Sequence, residues 1–302
     1  MPVMDVNTLF QAVGTLAENA AAQADFNQAL ASRLIELEKL VRSLKQQGSP
    51  TFYAGDHLAV TRVLDDFFIY ADTHDVSVTP HLLIDGEWEP HVKKMLLRLI
   101  RPGMTVVDAG ANFGYFTMLA AKLTGPDGRV YAFEPHPRNF EILQMNVAVN
   151  WYHDRVRAFP YALLDSAKRL EMHTTPILAG GNSFFSTQVE AVKLDQKVAV
   201  EAKTVDEIVH ERVDVMKIDV EGSEPFVFEG MKDVLARSPE IKIVMEFNPP
   251  ALKSAGKEPK QFLDWLRDGF TVEMLSQQGV IEPVDEQVLL GQYIHTVVLT
   301  KA

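Results

Sequence analysis

Apolar residues recur at alternating intervals of four and three residues over the first fifty positions. The pattern runs from Leu9 to Leu44 without an intervening proline and stops at Gly-Ser-Pro, residues 48–50. Such a repeat is typical of a coiled coil, so we predict a coiled-coil helix over residues 1–48 that joins copies of the chain into a homo-oligomer. Gln23 and Asn27 fall in the apolar seam, where they would fix the register at a cost in stability. An amphipathic helix packed on its own domain is the alternative.

A second segment, residues 51–103, precedes the first long apolar strand and is predicted to form an N-terminal cap on the substrate side. Near its end, apolar residues return with helical spacing at Val92, Met95, Leu96 and Leu99. Arg-Pro-Gly then ends the pattern, which predicts a helix that covers the start of a sheet.

From Thr105 the pattern alternates between short apolar runs and amphipathic stretches. Strands are predicted at 105–110, 129–134, 156–163, 213–219, 241–247, 270–275 and 293–300, with helices at 113–124, 137–149, 204–210, 223–236 and 259–267. Because parallel strands need crossover connections, and these are helical, we predict a mainly parallel sheet with helices on both faces over residues 104–302. The last two strands lack a predicted helix between them, which favours an antiparallel hairpin at one edge.

Composition narrows the class of protein. The 302 residues carry 29 Lys and Arg against 41 Asp and Glu, a net charge of −12. An acidic chain is a poor candidate for binding nucleic acid or an anionic membrane surface. The absence of cysteine excludes disulfides and cysteine-ligated metal sites. No apolar run is long enough for a transmembrane segment, and the first ten residues do not resemble a signal peptide, so a cytoplasmic location is expected.

The first predicted strand leads into a glycine-containing turn of the kind that holds a nucleotide. Its residues include Asp108, Gly110, Asn112 and Gly114. Asn112 stands where a dinucleotide fingerprint has a glycine, and the carboxylate of Asp108 would repel a pyrophosphate. S-adenosylmethionine carries a sulfonium and an ammonium and no phosphate, so this turn favours that cofactor over NAD. The glycines would let its methionine portion lie against the backbone.

Two further strand ends provide candidate contacts for the cofactor. Glu134 ends the second strand, where an acid can accept hydrogen bonds from both ribose hydroxyls. Tyr161 and Ala162 follow the third strand and would offer backbone groups to the adenine. The alternative role for Asp108 and Glu134 is to cap the helices that follow them.

Acidic residues also end the two later parallel strands. Asp219 lies at the tip of one strand with Glu221 just beyond it, and Glu246 and Asn248 lie at the tip of the next. An alcohol that accepts a methyl group must lose its proton, which requires a base or a metal ion. Asp219 and Glu246 are the candidate bases, while Asp219, Glu246 and Asn248 are candidate ligands for Mg²⁺. Lys217 is expected to pair with a nearby acid.

Three segments together resemble the FkbM-type methyltransferases. They are residues 87–117, 130–150 and 213–231, and the resemblance extends over about Asp56 to Thr300. It implies a Rossmann-like sheet of seven strands with the last pair in a hairpin. It also implies S-adenosylmethionine-dependent O-methylation, mostly of sugars, glycans or polyketides.

The same resemblance assigns roles to particular residues. The cofactor-binding positions are Asp108, Gly110, Asn112, Gly114 and Glu134. The acids of the site are Asp219 and Glu221, so Glu221 joins the catalytic candidates. Asn182 and Ser183 lie in the segment after the third strand, from which family members reach the cofactor or the acceptor.

Acceptor contacts are also expected from the second segment. Trp88 could stack on a sugar face, and Glu87 could hydrogen-bond to it; alternatively, both are ordinary surface residues. The function that the sequence predicts is O-methylation of a hydroxyl on a sugar, a glycan or a glycosylated natural product. An NAD-linked oxidoreductase, and a coiled-coil assembly protein with an inactive methyltransferase-like domain, are the alternatives.

Overall fold

The computed structural model describes residues 50–64, 66–174, 177–184 and 196–301. The coiled-coil helix predicted over residues 1–48 lies outside this part of the chain and stays a prediction.

Strands and helices follow one another throughout the described residues. The strands are β1 (Phe52–Gly55), β2 (Leu58–Val63), β3 (Phe67–Asp72), β4 (Thr105–Ala109), β5 (Arg129–Phe133), β6 (Val156–Phe159), β7 (Tyr161–Leu163), β8 (Lys168–Thr174), β9 (Gln196–Lys203), β10 (Val215–Ile218), β11 (Lys242–Phe247), β12 (Phe270–Leu275), β13 (Ile281–Pro283) and β14 (His295–Lys301). The helices are α1 (Thr79–Ile84), α2 (Pro90–Leu99), α3 (Tyr115–Thr124), α4 (Pro137–Val149), α5 (Val205–Ile208), α6 (Glu224–Glu229), α7 (Lys232–Arg237), α8 (Pro249–Ser254), α9 (Pro259–Gly269) and α10 (Glu286–Leu289).

The central sheet is mostly parallel, as predicted. Its strand order is β13-β12-β14-β11-β10-β4-β5-β6, and β14 runs antiparallel to both of its neighbours. In register, Asp108 of β4 lies opposite Lys217 of β10 and Ala132 of β5. The carboxyl ends of β4, β5, β10 and β11 therefore meet at one edge of the sheet, where ligands bind in folds of this class.

Alternate side chains of the parallel strands enter two cores on opposite faces of the sheet. Val106 and Val130 face the core that includes α3 and α4, whereas Val107 and Met216 face the core that includes α6 and α9. Covered faces on both sides explain why these strands read as continuous apolar runs. Each fully buried aliphatic side chain contributes about 1.5–3 kcal/mol, which holds the strand ends in fixed positions.

The last two predicted strands, β12 and β14, pair antiparallel as predicted. β14 lies between β11 and β12, however, and the three-residue β13 adds an eighth strand at the edge. The short helix α10 also lies between the last two predicted strands, where none was expected. Its four residues are too few for a helical period, and the carboxylate of Asp285 caps it by accepting the N–H groups of Gln287 and Val288.

Two predicted elements are each divided in the structure. The strand predicted over 156–163 is broken at Pro160, and its halves join different sheets, because β7 pairs with β9 outside the central sheet. The helix predicted over 223–236 is broken into α6 and α7 at Gly230. A Cβ on Gly230 would lie 2.1 Å from the carbonyl oxygen of Leu164, so the chain turns there against β7.

Residues 51–103 form a three-stranded antiparallel sheet, β1-β2-β3, followed by α1 and α2. The buried amide of Asn146 in α4 ties this sheet to the site. It accepts the N–H of Tyr70 and donates to the carbonyls of Tyr70 and Phe113. The glycine turn after β4 is thereby fixed to the N-terminal sheet.

Candidate functional site

A cavity opens at the carboxyl ends of β4, β5 and β10. Its lining includes Trp88, Glu89, Gly110, Asn112, Glu134, Tyr161, Ala162, Asn182, Lys217, Asp219, Glu221, Ser223 and Glu246. Most of the predicted cofactor and catalytic residues therefore come together around one space.

The turn after β4 is held by its own backbone geometry. Gly110 has φ of 79°, and a Cβ there would lie 1.8 Å from the carbonyl oxygen of Asp219, so glycine is required for this turn to contact the end of β10. Asn112 has φ of 50° and donates its N–H to Glu134 at 2.7 Å. Gly114 lies outside the cavity lining, and a Cβ there would lie 2.5 Å from Leu143 of α4.

Glu134 is anchored by backbone groups and faces the cavity. One carboxylate oxygen accepts the N–H of Asn112 and the other accepts that of His136 at 2.8 Å. The residue is only 5% exposed, and burial raises the pKa of its carboxyl to about 7. Each oxygen keeps a lone pair for a hydroxyl of a bound ribose.

Asp108 does not line the cavity, contrary to the contact expected from the sequence. It is buried behind the turn, where it accepts a hydrogen bond from the Thr117 hydroxyl at 2.6 Å. Its other oxygen lies 3.9 Å from the Lys217 ammonium. Burial raises the pKa of Asp108, and Lys217 opposes that rise. The side chain of Asp108 therefore acts within the protein, and it contributes to the cavity only through its charge.

Lys217 pairs with a nearby acid, as predicted. Its ammonium lies 3.0 Å from Asp219 and is buried among apolar neighbours that include the Phe116 ring. Burial alone would lower the pKa of Lys217, but Asp219, Asp108 and Glu89 together raise it above its usual range. The lysine is therefore a fixed positive charge, and it is unsuited to act as a base.

Three carboxylates form a cluster on the cavity wall beyond Lys217. One oxygen each from Asp219, Glu221 and Glu246 lies within 4.8 Å of the others. Burial and the neighbouring carboxylates raise the pKa of both Glu221 and Glu246 well above the usual range. The cluster can therefore accept a proton or hold a cation.

Asn248 lies next to this cluster. Its side-chain oxygen accepts the N–H of Ala251 at 3.2 Å and so caps α8, while its amide donates to Glu246 at 3.3 Å. The cap uses one of the two lone pairs of that oxygen. A role for Asn248 as a metal ligand stays a prediction.

The expected acceptor residues divide into two groups. Trp88 and Asn182 line the cavity, whereas Glu87 and Ser183 do not. Glu87 is paired with Lys93. The Ser183 hydroxyl donates to the carbonyl of Glu221 at 2.8 Å, so it holds the backbone of a cluster residue instead of reaching a ligand.

Glu89 is a site residue that sequence reasoning missed. It precedes α2 with a left-handed backbone, φ of 41°, and its side chain lines the cavity beside the carboxylate cluster. Burial, followed by repulsion from Asp219, raises its pKa to about 7. The Glu-Pro pair at the start of a predicted helix was the available signal, but only the fold brings it to the end of β10.

A buried aspartate, Asp75, was also missed. It accepts the backbone N–H groups of Val78 and Thr79 and, from a distant segment, that of Ala179 at 2.8 Å. Burial alone would raise its pKa, but these bonds and one from the Ser77 hydroxyl hold it below the usual range. Asp75 thereby fixes the segment that carries Asn182 over the cavity.

Among the helices of the described ranges, none is both long and apolar enough to cross a membrane.

Comparison with known proteins identifies the family. Residues 108–271, more than half of the chain, match the Methyltransferase FkbM domain. The chain is 31% identical over 157 residues to methyltransferase sdnD of Sordaria araneosa, covering 42% of this chain and 60% of the relative. It is 31% identical over 173 residues to 31-O-demethyl-FK506 methyltransferase FkbM of Streptomyces tacrolimicus, covering 48% and 65%.

A third relative is the hexuronic acid methyltransferase AglP of Haloferax volcanii. It is 28% identical over 159 residues, which cover 50% of this chain and 59% of that protein. The matched region spans about 60% of the length of these relatives. On the strength of the domain match, the chain belongs to the FkbM family of S-adenosylmethionine-dependent methyltransferases.

Proposed function

We propose that the chain transfers a methyl group from S-adenosylmethionine to a hydroxyl oxygen of a sugar, a glycan or a glycosylated natural product. The observation that carries this proposal is the position of the carboxylate cluster, Asp219, Glu221 and Glu246, on the wall of the cavity formed by the glycine turn. A hydroxyl is a weak nucleophile until its proton leaves, and this wall provides proton acceptors next to the cofactor space.

The residues around the cavity suit the cofactor. Glu134 offers two oxygens to the ribose hydroxyls, and backbone groups at Tyr161 and Ala162 border the space for the adenine. Asp219 presents negative charge to the sulfonium and ammonium groups. When bound, the cofactor supplies an electrophilic methyl group: its C–S bond breaks as the new O–C bond forms, and sulfur keeps the electron pair.

The protein's own part is to orient the acceptor and to take its proton. Asp219 is already paired with Lys217, so Glu221 and Glu246 are the better proton acceptors. The same carboxylates are also suited to Mg²⁺, which would lower the pKa of the hydroxyl instead.

A saccharide acceptor is supported by aromatic and polar residues that line the cavity. Trp88 provides a ring face for the apolar side of a sugar, and the amide of Asn182 lines the same cavity. The side-chain oxygen of Asn182 has no hydrogen-bond partner among the described residues. Among the relatives, one is named as a 31-O-demethyl-FK506 methyltransferase and another as a hexuronic acid methyltransferase.

The two alternatives make different predictions. An NAD-linked oxidoreductase is disfavoured by the family match, and thermal shifts with NAD and with S-adenosylhomocysteine separate the two cofactors directly. An assembly protein with an inactive domain would lose its function on deletion of residues 1–48 and keep it in Asp219→Asn. Homo-oligomerisation through residues 1–48 stays a prediction, which light scattering of the full chain and of the chain without residues 1–48 would test. A cytoplasmic location also stays a prediction, which cell fractionation would test.

The proposal is tested by calorimetry and methyl transfer. We expect wild-type protein to bind S-adenosylhomocysteine and to transfer labelled methyl groups to members of a saccharide panel. Glu246→Gln should lower kcat and leave the affinity for the cofactor product nearly unchanged. Glu282→Gln, an exposed acid of β13, is the matched control and should behave as wild type. Failure of the wild type to bind S-adenosylhomocysteine would refute the proposal.

A further inference from the structure

We infer that Asp219, Glu221 and Glu246 bind a divalent cation with oxygen-ligand chemistry, of which Mg²⁺ and Mn²⁺ are the probes. The role of the cation, to hold and acidify an acceptor hydroxyl, rests on the proposed function, whereas its binding does not.

The spacing of the three carboxylates suits a single bound ion. The three oxygens lie within 4.8 Å of one another. Ligands at about 2.1 Å from a Mg²⁺ ion are separated by about 3 Å when adjacent and about 4.2 Å when opposite. Small rotations of the side chains would therefore bring all three oxygens into one coordination sphere. No His or Cys takes part, which suits a hard cation rather than zinc.

The cavity lining carries more carboxylates than positive charges. Glu89 faces the same part of the cavity, so four carboxylates converge there. Among the described residues that line the cavity, Lys217 is the only Lys or Arg, and its ammonium lies against Asp219. Carboxylates that converge in this way repel one another, and a cation between them relieves the repulsion. A bound divalent cation would provide the missing charge for Glu221 and Glu246.

Within the described ranges, a buried hydroxyl that is not one of the three acids also lacks a partner in this cavity. Ser223 lines the cavity at 0% exposure, and its hydroxyl has no hydrogen-bond partner among the described residues. Buried polar atoms are nearly always paired, so the Ser223 hydroxyl points to a missing ligand or its water in this cavity.

The surrounding residues hold the cluster in place, as second-sphere groups do around metal sites. The amide of Asn248 donates to Glu246 at 3.3 Å, and the Ser183 hydroxyl donates to the carbonyl of Glu221 at 2.8 Å. The cluster and Trp88 line the same cavity. Open coordination positions would therefore face the acceptor, where two neighbouring hydroxyls of a sugar could bind together.

The test uses full-length protein from which metal has been removed by a chelator and dialysis. Mn²⁺ binding is followed by electron paramagnetic resonance, and Mg²⁺ binding by calorimetry. We expect one ion per chain in the wild type and at least a tenfold weaker affinity in the double variant Glu221→Gln/Glu246→Gln. The exposed-acid control Glu282→Gln should bind as wild type does. Thermal unfolding of the double variant checks that it is folded.

Binding of S-adenosylhomocysteine in chelator separates this inference from the proposed function. Wild-type protein that binds S-adenosylhomocysteine but no Mn²⁺ would overturn the cation site and leave the proposed function intact. Mn²⁺ bound without any affinity for S-adenosylhomocysteine would support the site and overturn the proposed function. Mn²⁺ affinity that is equal in the folded double variant and the wild type would also overturn the site.

Discussion

Replacing Glu134 with glutamine removes a charge from the predicted ribose site and keeps its shape. In the wild type, the two carboxylate oxygens accept the N–H groups of Asn112 and His136 and face the cavity. The variant keeps a single acceptor oxygen for these two donors. It also presents neutral hydrogen-bonding groups to the ribose hydroxyls.

The magnitude follows from the hydrogen bonds. Bonds to charged groups contribute about 1.5–3 kcal/mol each, against about 0.5–1.5 kcal/mol for neutral ones. Two weakened bonds to the ribose therefore cost about 2 kcal/mol, or roughly a thirtyfold loss in affinity. The folding stability should change less. At pH 8 the variant is relieved of a charge whose burial costs about 3 kcal/mol, but one N–H group loses its acceptor at about 1–3 kcal/mol.

The pH dependence gives the sharper test. The pKa of Glu134 in the folded protein is raised to about 7, so the wild type is mostly ionised at pH 8 and mostly protonated at pH 5.5. A protonated glutamate resembles glutamine. The dissociation constant of S-adenosylhomocysteine for Glu134→Gln, divided by that for the wild type, should therefore fall from roughly thirtyfold at pH 8 to within about threefold at pH 5.5.

Folding stability changes in the opposite direction to cofactor affinity: with rising pH, Glu134→Gln loses affinity relative to the wild type but gains stability. A raised pKa in the folded state stabilises the wild type at low pH, and this contribution is lost as pH rises from about 4.5 to about 7. Glu134→Gln should therefore gain stability relative to the wild type over this range. Calorimetric titrations at both pH values, with urea unfolding at the same pH, measure both effects. A ratio that stays constant with pH would refute the assignment of the cofactor's ribose to Glu134.

Three further changes test the support of the site by urea unfolding. Gly110→Ala should lower the free energy of unfolding by at least about 4 kcal/mol, because its Cβ would lie 1.8 Å from a carbonyl oxygen. The control Gly103→Ala, with a similar φ and open space around it, should lower it by about 1–2 kcal/mol. Equal losses would contradict the close contact at Gly110. Lys217→Met should lower the free energy of unfolding by about 3–5 kcal/mol at pH 8, because it leaves the buried Asp108 carboxylate without its cation. The loss should be smaller at pH 5, since removal of the cation raises the pKa of Asp108 further and the carboxyl is then protonated more readily. A loss independent of pH would argue against this pairing. Asp75→Asn should lower the free energy of unfolding by about 1–3 kcal/mol at pH 7. The difference from the wild type should shrink as pH falls through the lowered pKa of Asp75, where the wild type also loses its carboxylate. An unchanged urea midpoint would show that other contacts hold the segment that contains Ala179.

The parallel part of the fold was predictable because it is encoded locally. Strands buried on both faces, such as β4 and β10, read as apolar runs, and the helix over 137–149 agrees with the structure at both ends. The C-terminal region was predicted less well for an equally physical reason. β13 has three exposed residues and α10 has four, so neither carries a periodic pattern, and the position of β14 between β11 and β12 depends on pairings distant in sequence.

The site was predictable where its residues lie at the carboxyl ends of strands of the sheet. Asp219 follows β10 and Glu246 lies near the end of β11, and the structure brings both together with Glu221. Glu89 and Asp75 do not follow it, because they belong to the N-terminal segment. Only tertiary packing brings Glu89 to the cavity and Asp75 to the backbone of Ala179. The spare oxygen of Asn248 could not be judged from sequence, since its use as a helix cap depends on the local conformation.

The negative charge at the cavity wall is presented by Asp219 rather than by Asp108. Asp108 and Asp219 share the single ammonium of Lys217, so two acids and one cation leave one negative charge. Asp108 is buried, whereas the side chain of Asp219 is 26% exposed and lines the cavity, so this excess charge is presented to a ligand by Asp219. A pyrophosphate would still meet a negative wall there, and a sulfonium would still be favoured. The lysine, which the turn sequence alone did not reveal, therefore moves the charge from the strand that bears the turn to the neighbouring strand.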